Sequence, residues 1–482
     1  MTEVRTRFAP SPTGFLHVGT ARTALFSYLY ARRNSGTFVL RIEDTDVERN
    51  VEGGADALVE ALRWLGLSWD EGYAAPKRGE HGPYVQSERL DRYHLAVNSL
   101  IAHGQAYPCW CSPEELEARN AERRARKLPP GYDGRCRTLS DREIKAYEAE
   151  GRHPAVRLRL PDDGVTVVHD LVRGTVAFDN ATLSDFVIMR PSGIPTYQFA
   201  AVFDDVDMRI SHVIRGEDLF PSTARQVHVF AALGRPDPPA FAHLPLLVGP
   251  DGRKLSKRQG AVAVEQFRAD GYLPEALVNY LALLGWSLDD RTELFSLAEL
   301  ERVFSIERVT HNPAAFDTDK LDNLNGHYLR RLNAADFAAR ALPFVSGVDL
   351  ATLTAAAPLV QERVRRLDEV QGMVGFLATD EVTIDQAEAA KVLTAEGRDF
   401  LAAAGKALAA LEPWDAAGIE ATLRALQTER GIGAKKAFQP VRLAITGRLV
   451  SPPLFESMEL LGRERSLARI QAAAGAGGAE PV

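Results

Sequence analysis

Two short segments carry residues whose types and spacing suit the handling of a nucleotide. The first, Pro10-Ser11-Pro12-Thr13-Gly14-Phe15-Leu16-His17-Val18-Gly19-Thr20, is a proline-containing loop that runs into a helical pattern. The first turn of a helix leaves backbone N–H groups unpaired and presents the positive end of the helix dipole, and both attract phosphate. Gly14 and Gly19 let a nucleotide come close to the backbone, with Thr13 in the same loop. His17 and Thr20 add side-chain donors for phosphate oxygens whose charge grows during reaction. The second segment, Gly249-Pro250-Asp251-Gly252-Arg253-Lys254-Leu255-Ser256-Lys257-Arg258, is a turn-forming stretch that gathers four cations around one serine. Such a loop, delivering Lys257 to a triphosphate, would act chiefly on the transition state. Taken singly, each segment also fits a plainer role: a capped helix start with a surface histidine, and a solvated charged turn.

A third group is the set of three cysteines, Cys109, Cys111 and Cys136. An odd number clustered in one stretch cannot close into a disulfide framework. Three thiolates around one centre suit tetrahedral Zn²⁺, which then needs a fourth ligand; three reduced cysteines without metal are the other reading.

The elements that must position these residues follow from periodicity. Apolar and polar residues alternate from Val4 to Phe8, and Ala21, Leu25, Tyr28 and Leu29 recur at helical spacing between Val18 and Arg33. The apolar run Phe38 to Ile42 ends in Glu43, Asp44 and Asp46, as expected of a buried parallel strand with polar residues at its carboxyl end. A βαβ unit therefore opens the chain, continued by a helix over Ala55 to Leu65. After His81-Gly82-Pro83 the texture changes to helices and short strands such as Ala155 to Leu160, the mark of an insertion. Strand-like runs at 186–189 and 210–214 and a helical run from Ser222 to Leu233 resume the α/β pattern. Beyond the basic loop helical patterns dominate, with Tyr272 to Leu284 and Pro358 to Leu377 the clearest, which predicts an all-helical second half.

A chain of 482 residues implies several cores in series. With 45% hydrophobic and 25% charged residues it has the composition of a globular protein rather than a disordered one. No apolar run reaches the roughly 18 to 20 residues that span a bilayer, so no membrane contact and a cytoplasmic location are expected. The net charge of −8 means that any nucleic-acid contact must come from local basic patches.

Together, HVGT and KLSKR resemble the paired signatures of class I aminoacyl-tRNA synthetases, written HIGH and KMSKS in that family. PSPTGFLHVGTART, RIEDTD, LRWLGLSWDEG, HGPYVQSERL, YDGRCR, PTYQFA and HVIRGED extend the resemblance, in order and spacing, to the bacterial glutamyl-tRNA synthetases. The resemblance implies an α/β Rossmann-like catalytic domain at 1–82 and 186–245, split by an α+β acceptor-binding insertion at 83–185. It further implies a KLSKR and stem-contact domain at 246–322 and all-α anticodon-binding domains at 323–375 and 376–482. The implied function is ATP- and Mg²⁺-dependent activation of L-glutamate to glutamyl-adenylate and its transfer to tRNA(Glu), by a monomer. Discrimination against tRNA(Gln) is expected, the alternative being an enzyme that charges both.

Residue by residue, the resemblance assigns His17, Thr20, Lys254 and Lys257 to catalysis, and Thr13, Gly14, His17, Gly19, Thr20, Asp218 and Lys257 to ATP. It assigns Arg7 and Arg215 to the glutamate side-chain carboxylate, Glu43 to the ammonium, and Ala9, Ser11 and Tyr197 to the same pocket. The charge logic agrees, since glutamate brings two carboxylates and one ammonium; a plain ion pair between Arg7 and Glu43 at a sheet end is the alternative. Arg215 separates the glutamyl from the related glutaminyl enzymes, which carry an uncharged residue there. Arg363 corresponds to the family's reader of the last anticodon base, although an Arg/Glu-rich stretch is also a common solvated helix face. In the cysteine cluster the family pattern YxxxC brings in Tyr132 as the fourth zinc ligand, because Thr138 stands where other members carry histidine.

Overall fold

The computed structural model describes residues 3–76, 79–127, 131–255 and 263–475. The chain forms two compact units, Met1–Phe267 with Leu277–Asp317, and Arg268–Ala276 with Thr318–Val482.

The first unit is built on β1 (Arg5–Phe8), α1 (Val18–Arg33), β2 (Thr37–Leu40), α2 (Gly54–Trp64) and β3 (Glu71–Gly72). α3 (Leu90–Ala102), β4 (Ala106–Cys109), α4 (Pro113–Ala125), α5 (Asp141–Ala149) and β5 (Ala155–Leu158) follow. Then come the hairpin β6 (Val165–Asp170) and β7 (Gly174–Asp179), β8 (Val187–Met189), α6 (Tyr197–Asp207), β9 (His212–Gly216), α7 (Phe220–Ala232), β10 (Ala240–Leu244) and β11 (Leu247–Val248).

A seven-stranded sheet runs in the order β3-β2-β1-β9-β10-β6-β7, and β4-β5-β8 form a separate three-stranded sheet. The large sheet is parallel except for the hairpin partner β7. The strand order reverses between β1 and β9, and such a switch point leaves a crevice beyond the carboxyl ends of the strands. The hairpin joins the sheet edge through the pairing of Asp170 with Phe241. Strand β6 alternates strictly, with Thr166, Val168 and Asp170 turned inward. An acid at an inward position of a strand flanked by β10 and β7 requires a buried partner, and that partner belongs to the site below.

Helix α1 starts where the proline-containing loop ends because His17 is extended and its ring accepts a hydrogen bond from the Gly19 N–H. Its apolar stripe, including Ala21, Leu25, Tyr28 and Leu29, is buried. Gly54, at the start of α2, lies so close to the loop that a Cβ there would sit 2.6 Å from the Pro12 carbonyl oxygen.

The second unit is helical over its described residues, from Thr318–Arg331 to Arg463–Gly475, around a core that includes Phe337, Leu353, Phe400, Leu401, Leu408, Val441 and Ile470. One expectation fails here, because the helix read from Pro358 to Leu377 is broken. A helix ends at Val360, and only short turns and the five-residue helix Val370–Val374 follow. The backbone between them is taken up by tertiary hydrogen bonds: Asn325 donates to the Arg365 carbonyl at 2.6 Å and the Leu367 N–H donates to Gly271 at 3.0 Å. Buried Val364 and Leu367 supply the periodicity that mimicked a helix. No described helix is long and apolar enough to cross a membrane.

Candidate active site

A cleft of about 450 Å³ opens at the carboxyl ends of β1, β9 and β10. It brings together Arg7, Ala9, His17, Gly19, Thr20, Glu43, Tyr197, Arg215, Asp218 and Lys254 from six separate stretches of chain. Ser11, Thr13 and Gly14 are on the adjoining loop and do not line it. Lys257 lies outside the described residues; of the residues that are described, Leu255 lines the cleft and Ala263 forms a bridge with His17.

The nucleotide-suited residues His17, Gly19 and Thr20 line the cleft. His17 Nδ1 accepts from the Gly19 N–H at 3.1 Å, so in the neutral ring the proton sits on Nε2 and remains a donor. Thr20 is exposed in the first turn of α1. Across the cleft, Lys254 Nζ lies 3.7 Å from Asp218 Oδ2; both side chains are more than half exposed, so this pair is weak and can be exchanged for a ligand's phosphate.

Of the other charges that line the cleft, those on Arg7, Glu43 and Arg215 are buried. Arg7 donates to Asp205 at 3.2 Å and to the Ile214 carbonyl. Arg41, with no exposed surface, bridges Glu43 at 2.8 Å and Asp205 at 2.8 Å. Arg7 and Glu43 thus do not form the simple ion pair that their positions allowed; each has another partner, in a buried cluster where Arg41 also lies 3.7 Å from Asp204, itself paired with Arg89 at 2.7 Å. Desolvation raises the Glu43 carboxyl above its ordinary value, opposed by Arg41 and Arg7. For Asp205, two guanidinium groups outweigh an equally real burial penalty and hold the carboxyl below its ordinary value.

Arg215 differs from these. It is 5% exposed, and its partners are all uncharged: His243 Nε2 at 3.0 Å, Tyr197 Oη at 3.2 Å, Thr223 Oγ1 at 2.8 Å and Gln226 Oε1 at 2.7 Å. Among the described residues no carboxylate pairs with it. A guanidinium has five N–H donors and four are used, which leaves one on Nη1, the nitrogen that also meets Tyr197 at the cleft wall. A buried cation without a counter-ion is costly, and an anion supplied by a ligand removes that cost.

Sequence reasoning missed Arg22, Arg41, Asp170, Asp205, Thr223, Gln226 and His243. Arg22 lines the cleft and donates to the carbonyls of Leu284, at 3.0 Å, and Pro245; burial lowers its pKa to about 10. The readable signal was a charged or histidine side chain at a buried position of an apolar element, as for His243 in AFAHL and Asp170 in VTVVHD.

Away from the cleft, the Sγ atoms of Cys109, Cys111 and Cys136 lie within 4.8 Å of one another. Tyr132 Oη is 3.6 Å from Cys109 Sγ and 3.7 Å from Cys111 Sγ, and it accepts the Cys136 N–H at 2.9 Å. Arg157 Nε reaches Cys109 Sγ at 3.1 Å while its guanidinium lies 3.9 Å over the Tyr132 ring. Sulfurs about 2.3 Å from a tetrahedral zinc are about 3.8 Å apart, so this donor set fits that ion.

In the second unit Arg363 lies in the turn after Val360 and is exposed, not on a continuous helix. Its charge helps burial to lower the pKa of Arg442, so the two cations are neighbours.

This cleft at a sheet switch point, with a helix N-terminus and a basic turn at its mouth, has the layout of a class I synthetase. Residues 3–323 match the family described as "tRNA synthetases class I (E and Q), catalytic domain", and residues 336–474 match an anticodon binding domain. A glutamate–tRNA ligase of Moorella thermoacetica is 46% identical over 485 residues, covering 98% of each chain. One from Dehalococcoides mccartyi is 47% identical over 479 residues, 97% of this chain and 96% of its own. The crystal structure of a glutamate tRNA ligase from Elizabethkingia meningosepticum, in complex with its amino acid, superposes with a TM-score of 0.88 at 33% identity, covering 98% and 99% of the two chains. The chain therefore belongs to the class I tRNA synthetases, in the glutamate–tRNA ligase family. ATP with Mg²⁺, glutamate and tRNA are the reactants of that family.

Proposed function

We propose that this chain activates L-glutamate with ATP and passes the glutamyl group to the 3′-terminal ribose of tRNA(Glu), rejecting tRNA(Gln). The observation that carries the amino-acid choice is Arg215, buried at the cleft wall, with no carboxylate partner among the described residues and with one Nη1–H not taken by its four neutral partners. A glutamate side chain supplies the missing anion; glutamine leaves the guanidinium unpaired, a difference worth up to about 10⁴ in selectivity. Arg7 then acts beside Arg215 rather than equally with it, because Asp205 already neutralises it, and Glu43 faces the ammonium. Ala9, Ser11 and Tyr197 complete the amino-acid side, and Thr13, Gly14, Gly19, Thr20 and Asp218 the ATP side.

Adenylate formation needs no general base, because the attacking substrate carboxylate is already ionised at neutral pH. The work is alignment and charge neutralisation, for which His17, Lys254, Lys257 and the start of α1 are the donors, with Mg²⁺ on the phosphates. Glutamate- and tRNA-dependent ATP–pyrophosphate exchange, followed by charging of purified tRNA(Glu) and tRNA(Gln), tests the reading. Exchange with glutamine equal to that with glutamate would overturn the first half, and equal charging of both tRNAs the second. Arg363→Gln is expected to raise charging of tRNA(Gln) relative to tRNA(Glu) about tenfold, with exchange rates unchanged. The exposure of Arg363 beside a second cation supports its role on RNA.

The cysteine cluster, with Tyr132 as fourth donor, is read as a structural zinc site that holds Cys109–Trp110–Cys111 to the turn at Cys136. Metal analysis is expected to give one zinc per chain, and Cys136→Ser to lose it together with several degrees of thermal stability, while glutamate KM stays as it is. A monomer in the cytoplasm completes the proposal, the former checked by light scattering.

A further inference from the structure

We propose that His243 and Asp170 form a positioning pair that fixes Arg215 for recognition of the acidic amino acid; this rests on the reading of Arg215 above. His243 and Arg215 are direct partners in the parallel pairing of β10 with β9, so their side chains leave the sheet on the same face. The Nε of Arg215 can only donate, so at 3.0 Å His243 Nε2 must be an acceptor. The ring proton is then on Nδ1, and it meets Asp170 Oδ2 at 2.5 Å. Neither His243 nor Asp170 has any exposed side-chain surface.

Asp170 is itself held from several sides. Its Oδ1 accepts the N–H groups of Val172 at 2.9 Å and Arg173 at 2.8 Å, and its Oδ2 accepts the backbone N–H of His243 at 3.1 Å. Burial opposes its ionisation, but these bonds and the one from His243 outweigh it and hold the carboxyl below its ordinary value. The same burial keeps His243 neutral, its pKa below the ordinary 6.5. A carboxylate at the end of the β6–β7 hairpin thus selects the histidine tautomer, and the tautomer selects the plane of the guanidinium. Since Thr223 and Gln226 take both hydrogens of Nη2, the remaining Nη1–H is aimed by this chain of contacts and not by a counter-ion. In the proposed reaction neither residue touches substrate, so both are positioning residues.

Three variants separate this from simple packing. His243→Asn keeps a donor toward Asp170 but has no acceptor for Arg215; His243→Gln places its amide oxygen near the Nε2 position and keeps that acceptor. Asp170→Asn can satisfy the turn with its carbonyl oxygen, but its NH₂ then opposes the backbone N–H of His243 and also faces Nδ1, which drives the ring proton to Nε2 and sets donor against donor at Arg215. The expected result in ATP–pyrophosphate exchange is a rise of about tenfold or more in glutamate KM for His243→Asn and Asp170→Asn, with KM for ATP unchanged and kcat altered less. His243→Gln should return most of the glutamate KM. Where His243→Asn does not fold, Asp170→Asn decides, judged on protein with the wild-type melting temperature. Wild-type glutamate KM in folded Asp170→Asn or His243→Asn, or His243→Gln as impaired as His243→Asn, would overturn the proposal. Arg215→Ala is measured alongside: an unchanged glutamate KM there refutes the reading of Arg215 itself. A raised KM in Arg215→Ala with unchanged values in the other variants refutes only the positioning pair.

Discussion

Arg215→Ala is expected to lower kcat/KM for glutamate in ATP–pyrophosphate exchange by about 10³-fold, because removing one partner of a buried ion pair costs about 4 kcal/mol. The loss should appear mainly in KM for glutamate, with KM for ATP close to wild type, since the guanidinium is held by Tyr197, Thr223, Gln226 and His243 and by none of the residues proposed for ATP. The glutamate-to-glutamine ratio should fall by a similar factor, because the amide no longer faces an unpaired cation. The substitution also strands three buried polar partners, His243, Thr223 and Gln226, so the free protein should melt at a lower temperature and the kinetics belong below that transition. A ratio unchanged in Arg215→Ala would remove this residue from the pocket.

The second large effect is at His17, which lines the same cleft. His17→Ala is expected to lower kcat of the exchange reaction by about 10²-fold, the scale for losing one preorganised donor at developing charge, while glutamate KM changes little. The same change removes the acceptor of the Gly19 N–H and so weakens the start of α1 by about 1 kcal/mol. His17→Asn separates the two roles: asparagine caps a helix as well as any residue but is too short to place a donor where Nε2 stands. Restored melting temperature with kcat still depressed assigns the effect to the donor; restored kcat would show that the histidine serves only as a cap.

The segments that carry chemistry were legible because their cause is local. The loop into α1 is written in Pro10, Pro12, Gly14 and a 3.6-residue apolar period, and the helix occupies Val18–Arg33 as the spacing predicts. The strands flanking the cleft were legible for the same reason, with shifts of one or two residues: the run 210–214 becomes a strand at His212–Gly216. The Pro358–Leu377 pattern was misleading because apolar spacing reports which residues are buried, whereas the backbone path depends on acceptors and donors such as Gly271 and Asn325, 96 and 40 residues from their partners. Arg7 and Glu43 show the same limit. Both were identifiable as charged residues at strand ends, yet Asp205 and Arg41 decide their partners, and Asp205 lies far off in sequence.

From its sequence alone this protein already had its class and its reaction, through a family resemblance carried by short motifs in order, together with the arginines expected to answer an acidic substrate. Only the tertiary structure decided which cation is left without a counter-ion. Arg7, Arg41 and Arg215 are alike as residues; the sheet order and the β9–β10 register set two of them against carboxylates and the third against His243, Tyr197, Thr223 and Gln226. Electrostatic balance is a property of distances across the fold, and no local pattern encodes it.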